Sequence, residues 1–221
     1  MATKTDEYIK QEIVDYLIWD DSVNANDVFV NVAEGIVQLS GVVPTHAAKL
    51  AAEKDAYRVA GVIQVENMIE VEFPAEVEIP SDTEIINMIE SKLLWHDQID
   101  ATNITVESNK GIVSLTGMVN SFWEKKLATD TAFATKGVRQ VNNNLSVLLE
   151  KTYEDTEIEN DIKQAFKRNI LIDESRINVS VKSGIAHLTG ILPLFSMKEE
   201  AFDTAMLTAG VMDVVDETII A

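Results

Sequence analysis

The chain has 221 residues, 46% of them hydrophobic, with 18 Lys and Arg against 37 Asp and Glu for a formal net charge of −19. An acidic field of that size repels phosphate backbones and opposes adsorption to anionic lipid, so nucleic acid is a poor partner. Cysteine is absent, which removes disulfide and thiolate chemistry, and no apolar run approaches the roughly 20 residues of a membrane-spanning helix.

From Thr5 the pattern is helical: Ile9, Ile13 and Leu17 lie four apart on one stripe, behind the capping and acidic residues Thr5-Asp6-Glu7. A turn leads to Val28, Val30 and Val32, whose alternation of β-branched residues predicts a half-buried strand. Ala33-Glu34-Gly35 reads as a hairpin turn, and Ile36-Val37-Gln38-Leu39-Ser40-Gly41 as the second strand. The glycine closing that strand predicts a bulge, a bend or a close backbone approach. A second helix follows, with Ala52 and Ala56 spaced to let it lie close on a sheet, and Gly61 stands where a C-cap glycine belongs. Val62, Val65, Ile69 and Val71 make the last strand.

The same succession then occurs twice more. Gly35, Gly41 and Gly61 recur as Gly111, Gly117 and Gly137 and as Gly184, Gly190 and Gly210, which uses all nine glycines of the chain at offsets of 76 and 149. The first-helix stripe recurs as Ile85, Ile89, Leu93 and as Ile158, Ile162, Phe166, preceded by Ser81-Asp82-Thr83-Glu84 and Thr156-Glu157. In the third copy Thr218 replaces Ile69, a β-branched residue on a less apolar face. The sequence therefore predicts an α+β chain of three tandem modules, 1–75, 76–151 and 152–221, each large enough for a modest core. Each module has the order helix, strand, strand, helix, strand, with two helices on one face of a three-stranded sheet. The joints, near residues 73–80 and 149–154, are short and poor in Gly and Ser, which predicts copies of limited freedom packed on one another.

The run Gly-Ile-Val-x-Leu-Ser/Thr-Gly, an alanine-bearing helix, and then Gly-Val-x-x-Val-x-Asn-x-Leu/Ile-x-Val together resemble the BON domain. Gly35, Leu39, Gly41, Gly61, Val62, Val65 and Asn67 carry the resemblance in copy one. Their counterparts run from Gly111 to Asn143 in copy two and from Gly184 to Val214 in copy three, where Asp216 replaces the asparagine. The resemblance implies an αββαβ fold and a non-enzymatic role: binding of phospholipid or a membrane surface, of the osmotic or envelope-stress type. The alternative is a cytosolic stress or scaffold protein that binds a protein partner or a cation without touching lipid. The opening Met1-Ala-Thr-Lys-Thr-Asp-Glu carries no signal-peptide pattern, which predicts a cytoplasmic location, or a periplasmic one for a processed form.

Little in the chain suggests reaction chemistry. No Ser/His/Asp arrangement, phosphate loop or dinucleotide fingerprint is present, and no cofactor or metal is expected. His46, His96 and His187 occupy non-equivalent positions and read as surface residues. The acidic turns Asp20-Asp21, Asp97 with Asp100, and Asp173-Glu174 read as solvated turns, with a weak cation site as the alternative. The large apolar residues where the copies differ are more informative. At the corner before the second helix copy two has Phe122 and Trp123, and copy three has Leu194, Phe195 and Met197, against Pro44-Thr45-His46 in copy one. Packing between copies would use them; so would insertion into a lipid interface or a partner. Lys49, Lys125 and Lys198, the basic residues common to all copies, lie beside these corners and are candidate headgroup contacts. Trp19 and Trp95, matched by Arg168, are expected to pack in the core or between copies.

Overall fold

In a computed structural model, which describes residues 5–74, 77–149 and 151–220, helix α1 (Asp6–Trp19) starts where Thr5 accepts a bond from the Tyr8 N–H through its side chain. It buries Ile9, Ile13 and Leu17, the stripe the spacing predicts. Strands β1 (Val28–Ala33) and β2 (Ile36–Val43) form an antiparallel hairpin. Glu34 and Gly35 both have positive φ, 53° and 77°, the requirement of a tight primed hairpin turn. Helix α2 (His46–Tyr57) then crosses over, and β3 (Gln64–Asn67) and β4 (Glu70–Val71) return parallel to β2, which is therefore the central strand. Ala48, Ala52 and Ala56 are buried, so α2 lies close on the sheet.

Copies two and three repeat this order. Copy two comprises α3 (Asp82–Leu94), β5 (Ile104–Asn109), β6 (Ile112–Val119), α4 (Phe122–Phe133) and β7 (Gln140–Val147). Copy three comprises α5 (Asp155–Arg168), β8 (Ile177–Lys182), β9 (Ile185–Leu192), α6 (Phe195–Met206) and β10 (Asp213–Ile220). The fold class is the predicted one: three α+β modules, each a small sheet with two helices on one face. In copies two and three the last strand is unbroken, whereas in copy one it is interrupted between Asn67 and Glu70.

Gly41 is required by close approach. It has φ 114°, and a Cβ there would run into the Asp27 carbonyl; Gly117 and Gly190 meet the carbonyls of Asn103 and Arg176 in the same way. Gly61, by contrast, is not the C-cap of α2. That helix ends at Tyr57 with Arg58 as its cap, and a turn through Val59 and Ala60 separates it from the glycine. The third module's first helix begins at Asp155 after Glu154, two residues before the place that Thr156-Glu157 suggests.

The reason for that start is a clamp the repeats share. Asp155 Oδ1 and Oδ2 accept from the backbone N–H groups of Gly184 and Ser183, both at 2.8 Å. Asp82 does the same for Gly111 and Lys110, and Asp6 for Gly35 and Glu34. The first residue of each module's first helix thus ties that helix to its own hairpin turn. The Ser108 hydroxyl first, and then these backbone bonds, hold the Asp82 carboxyl below the usual carboxylate range, and the backbone bonds alone do so for Asp155. The expected joints include Ala75, Glu76 and Glu150, which lie outside the described residues.

Candidate functional site

The modules meet through their second helices. His46, at the start of α2, stacks on Phe133 at the end of α4, with ring centroids 3.5 Å apart. Phe195, at the start of α6, stacks on Tyr57 at the end of α2, with centroids 4.2 Å apart. Phe122, at the start of α4, meets Phe202 of α6 edge to face at 6.4 Å. The helix-start positions His46, Phe122 and Phe195 are equivalent and are used in one direction each time: copy one's on copy two, two's on three, three's on one. Phe133 and Tyr57 are equivalent partners, whereas Phe202 lies one turn before the corresponding Met206. A head-to-tail contact repeated three times and returning to its origin is a closed ring. Two further contacts close the junction between copies three and one: Lys54 pairs with Glu199 at 2.9 Å, and the Ile220 N–H donates to the Ile63 carbonyl at 3.3 Å.

This geometry decides where the corner residues go. Phe122 is 8% exposed, and Trp123 and Met197 pack partly buried against a core that runs continuously through copies two and three. Phe195 is half-buried in its stack, while Leu194 stands exposed at the helix N-cap. His46, expected at the surface, is half-buried, and burial pushes its pKa down, assisted by Lys49. The corners of α2, α4 and α6 therefore hold the ring together, and their rings have copy-to-copy partners.

The shared lysines differ among themselves. The Lys49 and Lys125 carbonyls accept from the Asn67 and Asn143 side-chain amides at 2.9 and 2.8 Å, fastening helix to last strand. In copy three Asp216 has no amide to offer, and the Lys198 side chain turns inward instead. Its Nζ pairs with Asp216 at 2.9 Å and donates to the Thr218 carbonyl at 2.7 Å and hydroxyl at 2.9 Å. Lys198 is thus committed to the interior of its module. The acidic turns are likewise occupied: Asp100 and Asp173 accept from Thr102 and Ser175, capping the short 3-10 turns that precede β5 and β8.

The exposed apolar surface lies elsewhere, at the far end of each first helix. Trp19 is 86% exposed and Trp95 84%, which overturns the expectation that they pack inside. Ile18 and Leu94 beside them are exposed as well. Copy three, with Lys167 and Arg168 at those two positions, carries its apolar pair just beyond the helix, where Ile170 is 98% exposed next to exposed Leu171. The signal was available in the helical wheel. Successive residues turn by about 100°, so Ile18 and Trp19 fall off the stripe of Ile9, Ile13 and Leu17. The pairs of copies one and two occupy equivalent positions and that of copy three lies three residues further on, each a knob of roughly two side chains.

Comparison with known proteins places this geometry in a family. Over 140 residues, 62% of this chain and 68% of the other, the sequence is 31% identical to osmotically-inducible protein Y of Escherichia coli (strain K12). Two solved structures of CdsD, a structural protein of the type III secretion system of Chlamydia trachomatis, align over 96% and 95% of this chain and 91% and 95% of their own. Their identities are 13% and 12% and their TM-scores 0.27 and 0.25, values too low to bear on the arrangement of the modules. The BON domain matches three times, over residues 5–72, 81–148 and 154–221, and the chain belongs to the BON-domain family.

Proposed function

We propose that this protein binds phospholipid at a membrane surface, in an envelope-associated, osmotic or general stress role, without catalysing a reaction. Membership in the BON family and similarity to a protein named as osmotically inducible support the role. The observation that carries the lipid reading is the exposed apolar pair on every module: Ile18 with Trp19, Leu94 with Trp95, and Ile170 with Leu171. Indole rings favour the interfacial zone of a bilayer, where an apolar body and a polar N–H are both accommodated. Burying one large aliphatic side chain gains about 1.5–3 kcal/mol, so one pair is a weak anchor and several acting together are needed. No helix among the described residues is long and apolar enough to cross a membrane, which fits contact at the surface. Asp20, Asp21 and Asp97 flank the first two knobs, so the contact is apolar and suits zwitterionic better than anionic lipid.

Co-sedimentation with phosphatidylcholine vesicles tests this reading. Binding that survives physiological salt is expected, and Trp19→Ser with Trp95→Ser lowers it about a hundredfold, roughly 1.4 kcal/mol per side chain, without moving the melting temperature. Phe195→Ala, in contrast, is expected to loosen the ring and leave lipid affinity within about threefold, roughly 0.6 kcal/mol. Absence of binding to every vesicle composition would sink the lipid reading and leave the knobs as a surface for a protein partner.

A further inference from the structure

We propose that the cleft between α4 and α6 binds a small quaternary-ammonium group, held by the Asp203 carboxylate against aromatic walls. The cleft has a volume of about 390 Å³, within the range of small-ligand sites. Trp123, Phe195 and Phe202 line it, and so do four carboxylates and two lysines. The charges sort into pairs: Lys126 with Asp130 at 2.8 Å, Lys198 with Asp216 at 2.9 Å, and Glu199 with Lys54 at 2.9 Å. Asp203 remains, with no hydrogen bond or ion pair among the described residues. Burial raises its pKa, only partly countered by Lys126 and Lys54. Asp203 is therefore the one carboxylate of the cleft that no cation pairs among the described residues.

The form of a cation that would pair it follows from the walls. A metal ion needs several oxygen ligands, and one free carboxylate does not supply them. A primary ammonium carries three donors to satisfy, whereas a quaternary ammonium has none and gains from aromatic faces. The composition is also particular to this junction. The equivalent positions are Ala47 with Thr129 and Asp130 between copies one and two, and Ser196 with Glu53 and Lys54 between copies three and one, so only this junction sets two aromatics beside a carboxylate there. The inference stands apart from lipid binding through the knobs, because it concerns a different surface and a charged group rather than apolar insertion.

The test uses the full chain carrying Trp19→Phe and Trp95→Phe, so that Trp123 is its sole indole. Tetramethylammonium chloride is titrated against sodium chloride at constant ionic strength, and Trp123 emission is followed. A saturable change with tetramethylammonium alone is expected, and Asp203→Asn weakens it about tenfold. Asp203→Asn alters a carboxylate that is only partly desolvated by the cleft, and an unchanged thermal melt establishes that the variant is folded; Phe202→Leu serves as an independent second variant with a smaller loss. A response equal to that of sodium, no saturation, or an Asp203→Asn variant of undiminished affinity would each overturn the proposal. Phosphocholine and phosphatidylcholine vesicles distinguish the source: a response to both assigns a lipid headgroup, and a response to phosphocholine alone assigns a free solute.

Discussion

In copy one Asp55 is 2% exposed and faces Asp20, where copies two and three hold Thr131 with His96 and Thr204 with Asn169. One Asp55 oxygen accepts from Arg58 at 2.7 Å, and the other is buried without a donor. Burial first, and then the Asp20 charge, push the Asp55 carboxyl up, while the Ser22 hydroxyl and N–H hold Asp20 down. A raised carboxyl contributes fully only below its unfolded pKa, and the contribution is lost as pH rises through the folded one. Ionised Asp55 is therefore a cost at neutral pH. Asp55→Asn should raise the melting temperature at pH 7 by about 2–4 °C, corresponding to about 1 kcal/mol, and the gain should fade toward pH ~4. A lower melting temperature at neutral pH would contradict this. None of it was legible in the sequence, because Asp20 and Asp55 become neighbours only when the turn after α1 folds back on α2. The exposure of Trp19 and Trp95 was legible, since both lie off the buried stripe; the missing tryptophan in copy three hid the pattern.

At the scale of elements, helix and strand order, the hairpin turns and the close approach at Gly41 could all be read from residue types and spacing. What could not be read was how helix and last strand are fastened. Asn67 and Asn143 donate to a helix carbonyl and accept from the N–H groups of Ile69 and Leu145. Asp216 keeps only the second half of that role, accepting from Thr218 N–H, and the Lys198 ammonium takes over the first. The two sequence departures of copy three, Asp216 for Asn and Thr218 for Ile69, are thus one compensated change. The side chains of Lys198 and Asp216 are 17% and 14% exposed, so removing one leaves the other with a poorly solvated charge. Lys198→Met should destabilise by about 3 kcal/mol in chemical denaturation, whereas Lys49→Met should stay within about 0.5 kcal/mol. Equal effects at the two positions would show that the inward lysine is not fastening copy three.

For the molecule as a whole, the repeats close on themselves. The short, stiff joints made packing between copies an expectation, but ring closure depends on which residues meet across the chain ends. Tyr57 with Phe195 and Ile63 with Ile220 bring copy three back to copy one. Copy one nevertheless keeps its own core, while the cores of copies two and three run together. Neither junction of copy one shares a core with its neighbour, and the one with copy three, which no chain joint tethers, is the one that opens first. Tyr57→Ala should broaden spin-label distances between copies one and three and leave those between two and three narrow; broadening of both would mean that the ring is not held there. Each copy leaves an apolar knob exposed at or just beyond the end of its first helix, while Phe122 and Phe195 are engaged between copies, and on the proposed lipid reading the knobs make the contact. Quenching by brominated phosphatidylcholine in three single-tryptophan variants tests it most directly. Indoles at Trp19 and at Trp95 should be quenched on vesicle binding and Trp123 should not; quenching confined to Trp123 would return the contact to the corners and contradict the account.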